Sequence, residues 1–186
     1  MFIFNTATTA NGFLADPNNS LEWLFQVESE APDMEPFTQT VSVFVMGSST
    51  YEWLLNIENM LEHPDKWTGF FGDRPSYVFT SRDLPVPSGV DVRFLNSTVP
   101  DALATITETA GDGVVWVMGG GDLVGQFLDA GVLDRIIMTI APAFLASGKP
   151  LLPRSVYPDR LTLKGARTVG QFVEITYDVV GSRPSA

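Results

Sequence analysis

The sequence predicts an α/β protein built on a mixed, mostly parallel central sheet with an antiparallel pair at its C-terminal end. Three observations carry this expectation. Continuous apolar runs rich in β-branched residues, at 41–46 and 114–118, read as strands buried on both faces. Such runs alternate through the middle of the chain with segments of helical apolar spacing, the pattern of parallel strands joined by crossover helices. The last part is strand-only: 161–169 and 172–180 lie on either side of Gly170 and read as a closing hairpin.

The elements follow in order. Residues 2–9 are rich in β-formers and end at Asn11-Gly12, a turn signal. Residues 13–15 are apolar, and 16–20 (DPNNS) form a loop of turn residues. A short apolar stretch at 21–25 holds Glu22 and Trp23, and a short helix is expected from Asp33. The strand at 41–46 runs into Gly47, Ser48, Ser49 and Thr50, a small polar turn. A helix begins at Tyr51, with Ser49 or Thr50 as candidate N-caps. Residues 56–75 have no clear period and remain unplaced; they hold the lone histidine, His63, read as a loop residue, and the aromatics Trp67, Phe70 and Phe71. Strands are expected at 76–79 and 90–95, a third polar turn at Thr80, Ser81 and Arg82, and a helix at 99–109. After the strand at 114–118 comes a helix at 122–130, closed by Gly131 at the position where a left-handed residue ends a helix. Residues 135–141 are strongly β. One domain over 1–186 is expected, with 181–186 a polar tail.

Bulk properties remove several classes of function. The formal net charge of −11 repels nucleic acid and anionic membrane, so neither is expected as a partner. The absence of cysteine removes disulfides, thiol nucleophiles and thiolate metal sites. One histidine and scattered carboxylates give no metal pattern. The first residues lack a basic leader with a long apolar core, and no apolar run is long enough for a bilayer, so a soluble cytoplasmic protein is expected.

The chemistry is expected at the triple glycine, Gly119, Gly120 and Gly121. Three glycines in a row cost backbone entropy, so the chain there needs a sharp bend or a bare backbone. A phosphate resting on free N–H groups at a helix start meets that need; so does a plain tight turn. The spacing matches neither the dinucleotide fingerprint nor a P-loop. The turns at 47–50 and 80–82 also follow strands of the same inferred sheet. Ligands of open α/β sheets sit at the carboxyl ends of strands, so the convergence favours an extended, phosphate-bearing ligand.

These residues also carry a resemblance. VMGSSTYEWL at 45–54 resembles the VMGRxTYE segment of the dihydrofolate reductase superfamily. VWVMGGGDLVGQFL, AGVLDRIIMTIAPAFLASGKPLLP and the opening TATTANGFLA resemble the bacterial branch of it that includes the C-terminal reductase domain of the bifunctional riboflavin-biosynthesis protein. The resemblance implies a dihydrofolate reductase-like three-layer sandwich, a homodimer with residues 136–144 near its interface, and hydride transfer from NADPH to a small heterocyclic substrate. A non-catalytic NADP(H)- or nucleotide-binding protein on the same fold is the alternative. It implies a cis bond within the Gly run, and cofactor contacts from Met118, Gly119, Gly120, Gly121, Asp122, Leu123 and Val124. Gly47, Ser48, Ser49 and Thr50 would lie by the phosphates, Thr80, Ser81 and Arg82 by the adenosine ribose and its 2′-phosphate, and Ala7 by the nicotinamide. Thr8, Asn11, Phe13 and Trp23 would border the substrate, and Glu22 is the candidate proton donor.

Three departures stand out. Ser48 occupies a position where the family usually has Arg, which leaves Arg82 as the cation for a 2′-phosphate. Asn11 stands where Asp is frequent, and Asp122 is expected to point away from any phosphate. The chain has only three lysines, Lys66, Lys149 and Lys164, none of them clustered, which weighs against a substrate with a ribose phosphate.

Overall fold

The computed structural model describes residues 1–181; the expected tail lies outside the described residues from 182 onward. Its core is an eight-stranded sheet. Six strands run parallel: β1 (Phe2–Thr9), β3 (Val41–Gly47), β4 (Ser76–Phe79), β5 (Val92–Leu95), β6 (Val114–Gly119) and β7 (Leu133–Ala141). The closing hairpin, β9 (Leu161–Val169) and β10 (Phe172–Val179), adds through an antiparallel β10–β7 ladder. The spatial order is β5-β4-β3-β6-β1-β7-β10-β9. A separate small pair joins β2 (Phe13–Ala15) to β8 (Lys149–Pro150).

The period of two along β3 explains the layers. Val43 and Val45 point into one apolar cluster, with residues of α5 (Val99–Ala110) and α6 (Gly121–Asp129). Phe44 and Met46 point into a second cluster on the opposite face, against α3 (Ser48–Ile57) and α4 (Pro64–Phe71). The result is the expected three-layer sandwich. Two further one-turn helices, α1 (Glu22–Phe25) and α2 (Glu35–Thr38), precede β3. The second begins two residues after the expected Asp33, whose Oδ1 accepts the Glu35 N–H at 2.9 Å. Gly111 and Gly131, at φ 54° and 68°, end α5 and the α6 segment.

Two expectations need correction. The N-cap of α3 is Gly47, extended at φ −84° and ψ 163°, and not Ser49 or Thr50. The helix starts directly at the strand end, so those hydroxyls lie inside its first turn. The unplaced segment 56–75 contains α4, and its Trp67 and Phe71 are fully buried, stacked with ring centroids 4.2 Å apart. His63 is the residue preceding that helix.

Arg74 fastens the end of α4 to the sheet. Its Nε donates to Phe71 O at 2.7 Å and its Nη2 to Phe70 O at 3.1 Å, while Nη1 donates to Thr38 O at 2.6 Å and Val41 O at 3.2 Å. The guanidinium also lies over the Phe44 ring at 4.7 Å. Burial pulls its pKa down from the ordinary value. Arg74→Ala strips donors from several carbonyls at once, and a loss of about 2–3 kcal/mol is expected, read as a lower urea midpoint. Arg74→Lys restores little of it, because an ammonium cannot reproduce the planar fork.

The β7–β10 ladder carries an acid-sensitive cross-strand pair. Arg135 Nε donates to Asp178 Oδ1 at 2.7 Å, and Lys164 Nζ lies 3.6 Å from Oδ2. Arg135 holds the Asp178 carboxyl below its ordinary value. A depressed carboxylate stabilises the fold above its unfolded-state pKa and loses that effect as the pH falls through the folded value. The pair is about one-third exposed, so the effect is at most ~1 kcal/mol. Asp178→Asn should weaken the protein by that amount at pH 7, and denaturation curves of the two proteins should converge as the pH falls through the lowered folded-state pKa of Asp178.

Candidate functional site

The site is an edge. β4, β3, β6 and β1 are neighbours in the sheet and run the same way, so their carboxyl ends emerge side by side. The turns at 80–82, 47–50 and 119–121, and Ala7 near the carboxyl end of β1, therefore line up in that order.

The two central turns are in contact. A Cβ on Gly47 would stand 3.7 Å from Gly119 O and 3.8 Å from Gly120 N, and Thr50 Oγ1 lies 3.8 Å from where a Gly119 Cβ would be. The Gly119–Gly120 peptide is cis, as the resemblance implies, and Gly119 has φ 128°, a backbone that side chains rarely adopt. Gly120 is the N-cap of α6, and Gly47 that of α3. The first-turn N–H groups of both helices, including those of Ser48, Ser49, Gly121 and Asp122, have no intrahelical carbonyl to meet. Two positive helix ends thus converge beside an exposed backbone. No heavy atom lies within 4 Å of a Cβ built on Gly120, so the space above it is open. Gly121 differs: a Cβ there would come within 2.5 Å of Leu151 O and closer still to Pro150 O, because the chain after β7 crosses the start of α6.

The side chains around this cradle divide. Asp122 faces away, as expected. Its carboxylate accepts from Gln126 Nε2 at 3.1 Å and Arg154 Nη1 at 3.1 Å, and these bonds lower its pKa. Leu123 and Val124 are buried in the core, so only their backbone faces the edge. Met118 is half-buried and packs against the second cluster. Thr80 Oγ1 accepts the Arg82 N–H at 2.9 Å, which shapes that turn, and Ser81 is exposed. Arg82 is paired: Nη1 and Nη2 donate to the two oxygens of Glu52 at 3.0 and 2.6 Å.

The expected substrate residues are less uniform. Thr8 is buried, and its hydroxyl donates to Phe13 O at 3.2 Å, so it braces the loop. Asn11 is tied to the segment after β7. Its Nδ2 donates to Leu145 O at 2.7 Å, and its Oδ1 accepts the Leu145 N–H at 3.2 Å. An aspartate could not make the first of these bonds, which explains the departure at this position. Half-buried Phe13 lies in β2, its N–H bonded to Thr9 Oγ1 at 2.9 Å. Trp23 is half-buried, and its indole Nε1 is buried without an acceptor among the described residues. Glu22 is exposed at the start of α1.

A groove of about 440 Å³ opens between the 16–20 loop and α3. It is lined by Asn18 and Asn19 of the loop and by Ser49, Glu52, Trp53 and Asn56. None of these but Ser49 was expected from the sequence. The signal was present: spacings of three and four put the α3 residues on one helix face. Asp16 Oδ1 accepts from the N–H groups of Asn18 and Ser20, both at 2.8 Å, and fixes the opposite wall. No group of three or more His, Asp or Glu able to hold a metal occurs among the described residues, and no helix there is long and apolar enough to cross a membrane.

Comparison with known proteins agrees with this architecture. The family model of the RibD C-terminal domain matches residues 1–174. YwjB of Bacillus subtilis (strain 168), itself uncharacterized, is 30% identical over 172 residues, 92% of this chain and 93% of that protein. A riboflavin-biosynthesis-assigned protein from Shewanella sp. PV-4 superposes with a TM-score of 0.75 at 22% identity, over 96% of this chain and 98% of that one. The deaminase/5-amino-6-(5-phosphoribosylamino)uracil reductase of Thermotoga maritima superposes with a TM-score of 0.65 at 18% identity, over 96% of this chain and 56% of that longer one. These neighbours share the dihydrofolate reductase-like fold. With the family model spanning nearly all of the described chain, this protein belongs to the RibD C-terminal domain family.

Proposed function

We propose that this protein is a reductase that takes a nicotinamide dinucleotide, NADPH in the form the family favours, and reduces a small flat heterocycle such as a pterin or an aminouracil. The carrying observation is the open backbone above Gly120, set between two helix N-termini. That arrangement fits a pyrophosphate, since it offers free N–H donors and a favourable dipole with no side chain in the way. Gly119, Gly120 and Gly121 with Ser48, Ser49 and Thr50 hold the phosphates. Thr80, Ser81 and Arg82 face the adenosine side, and Ala7 with the adjacent loop borders the nicotinamide. When bound, the dinucleotide supplies a hydride; the protein's task is orientation and exclusion of water.

The lysine count favours a substrate without a ribose phosphate: the chain has three, Lys66, Lys149 and Lys164, none of them clustered. The groove beside α3 offers carboxamides from Asn18, Asn19 and Asn56 and the Trp53 ring, and its Glu52 carboxylate is the one that Arg82 forks onto, so it opens beside the adenosine side. With Glu22 exposed, water is the proton source. A homodimer, with the exposed Phe144 near its interface, and a cytoplasmic location belong to the same reading.

Titration of NADPH against tryptophan fluorescence tests the cofactor seat; no response at millimolar cofactor would sink it. NADPH oxidation with a panel of pterins and aminouracils then tests turnover. A flat absorbance trace with intact binding would favour the non-catalytic binder, the reading supported by the exposure of Glu22 and the structural use of Asn11.

A further inference from the structure

Arg82 is the only arginine or lysine in the three strand-end turns. Among the described residues of these turns it is therefore the one cation for a phosphate on the adenosine side. Its guanidinium is already engaged, with both terminal nitrogens forked onto both oxygens of Glu52. Glu52 lies one turn beyond Ser48 in α3, so its carboxylate stands on the same edge as the phosphate cradle. Ser48 adds no charge, and exposed Asp83 follows Arg82 directly. The local balance at this end of the site is neutral to acidic.

The pair is half-exposed, with 53% of the Arg82 and 38% of the Glu52 side chain accessible. Such pairs contribute little to stability, so an incoming anion can part them. The displaced carboxylate, however, stays close to that anion and repels it. Against a free ribose hydroxyl, the same carboxylate is an acceptor, which is how acidic residues favour the unphosphorylated dinucleotide on other α/β sheets.

We propose that Glu52 is a specificity-determining residue of the dinucleotide site: by occupying the Arg82 fork and standing ready for a ribose hydroxyl, it holds NADPH and NADH at comparable affinity. The inference rests on the reading of the edge as a dinucleotide seat and adds the selectivity of that seat.

Binding measurements separate the two. Dissociation constants of NADPH and NADH, and of the fragments 2′,5′-ADP and 5′-AMP, are determined by calorimetry for the wild type, Glu52→Gln, Arg82→Gln and the double variant. The wild type should bind NADPH and NADH within about threefold of one another. Glu52→Gln should raise affinity for NADPH and 2′,5′-ADP about three- to tenfold, leave NADH and 5′-AMP unchanged or weaker, and keep the melting temperature. The gain should vanish in the double variant, which ties it to Arg82. A wild type that prefers NADPH by a hundredfold, or a Glu52→Gln protein with an unchanged NADPH-to-NADH ratio, would overturn the proposal and leave the dinucleotide seat standing. A wild type that binds none of the four would overturn the seat, and the selectivity with it.

Discussion

Gly120→Ala is expected to fold as the wild type does and to weaken dinucleotide binding, whereas Gly121→Ala is expected to destabilise the fold. The two glycines are adjacent and the same methyl is added, so the contrast isolates space. At Gly120 the new Cβ meets nothing within 4 Å and the backbone, at φ −68°, suits alanine. The methyl then stands where the phosphate must approach, and binding should fall by at least about tenfold, equivalent to ~1.4 kcal/mol. At Gly121 the methyl runs into the backbone carbonyls of Pro150 and Leu151, which a rotamer change cannot clear. Overpacking of this kind costs about 1–3 kcal/mol, more when backbone must move. With about 2–4 °C per kcal/mol for a chain of this size, differential scanning calorimetry should show the drop plainly. Equal melting temperatures for the two variants, or unaltered NADPH binding by Gly120→Ala, would misplace the cradle.

Trp67→Ala should be the most damaging substitution in the outer helical layer. Trp67 is fully buried, stacks on Phe71 at 4.2 Å and meets the Tyr51 ring edge-on at 5.7 Å. Truncating a buried tryptophan costs about 3–5 kcal/mol, a large share of a typical domain's stability. Tyr51 bears part of the loss. Burial pushes its phenol up to about 12, and its hydroxyl donates to Pro85 O at 2.7 Å, so it stays protonated and anchors α3 to the segment after β4. Chemical denaturation of Trp67→Ala, with the emission of the remaining tryptophans as the probe, reads the effect.

That helix was also the part of the fold the sequence hid. Strands announced themselves because they are buried on both faces: the run 41–46 has no polar interruption except Ser42, and β3 follows it closely. α5 and α6 were legible from apolar spacing, and α6 also from Gly131 just after it. α4 is only eight residues long, opens on Pro64 and carries Gly69 inside it, so it offers breakers where a helix is sought. Its burial comes from partners on β3 and α3 that local pattern cannot name. The site divided in the same way. The two central strand-end turns were legible because strand ends, glycines and hydroxyls are adjacent in the chain. The Glu52–Arg82 pair joins residues 30 positions apart, and the groove joins the 16–20 loop to α3. Such pairings are products of topology. The same holds for the fastening of Asn11 to Leu145.

That fastener makes two distant stretches one mechanical part. Asn11 and Leu145, 134 positions apart, hold each other through both halves of a carboxamide; Ala10 N–H reaches Ala143 O at 2.8 Å, and Leu151 N–H reaches Gly12 O at 2.9 Å. The strap that crosses Gly121 is thus hung from the turn after β1. Anyone grafting a new recognition loop onto this scaffold from a relative would have to move both stretches together, since either alone would arrive without its counterpart.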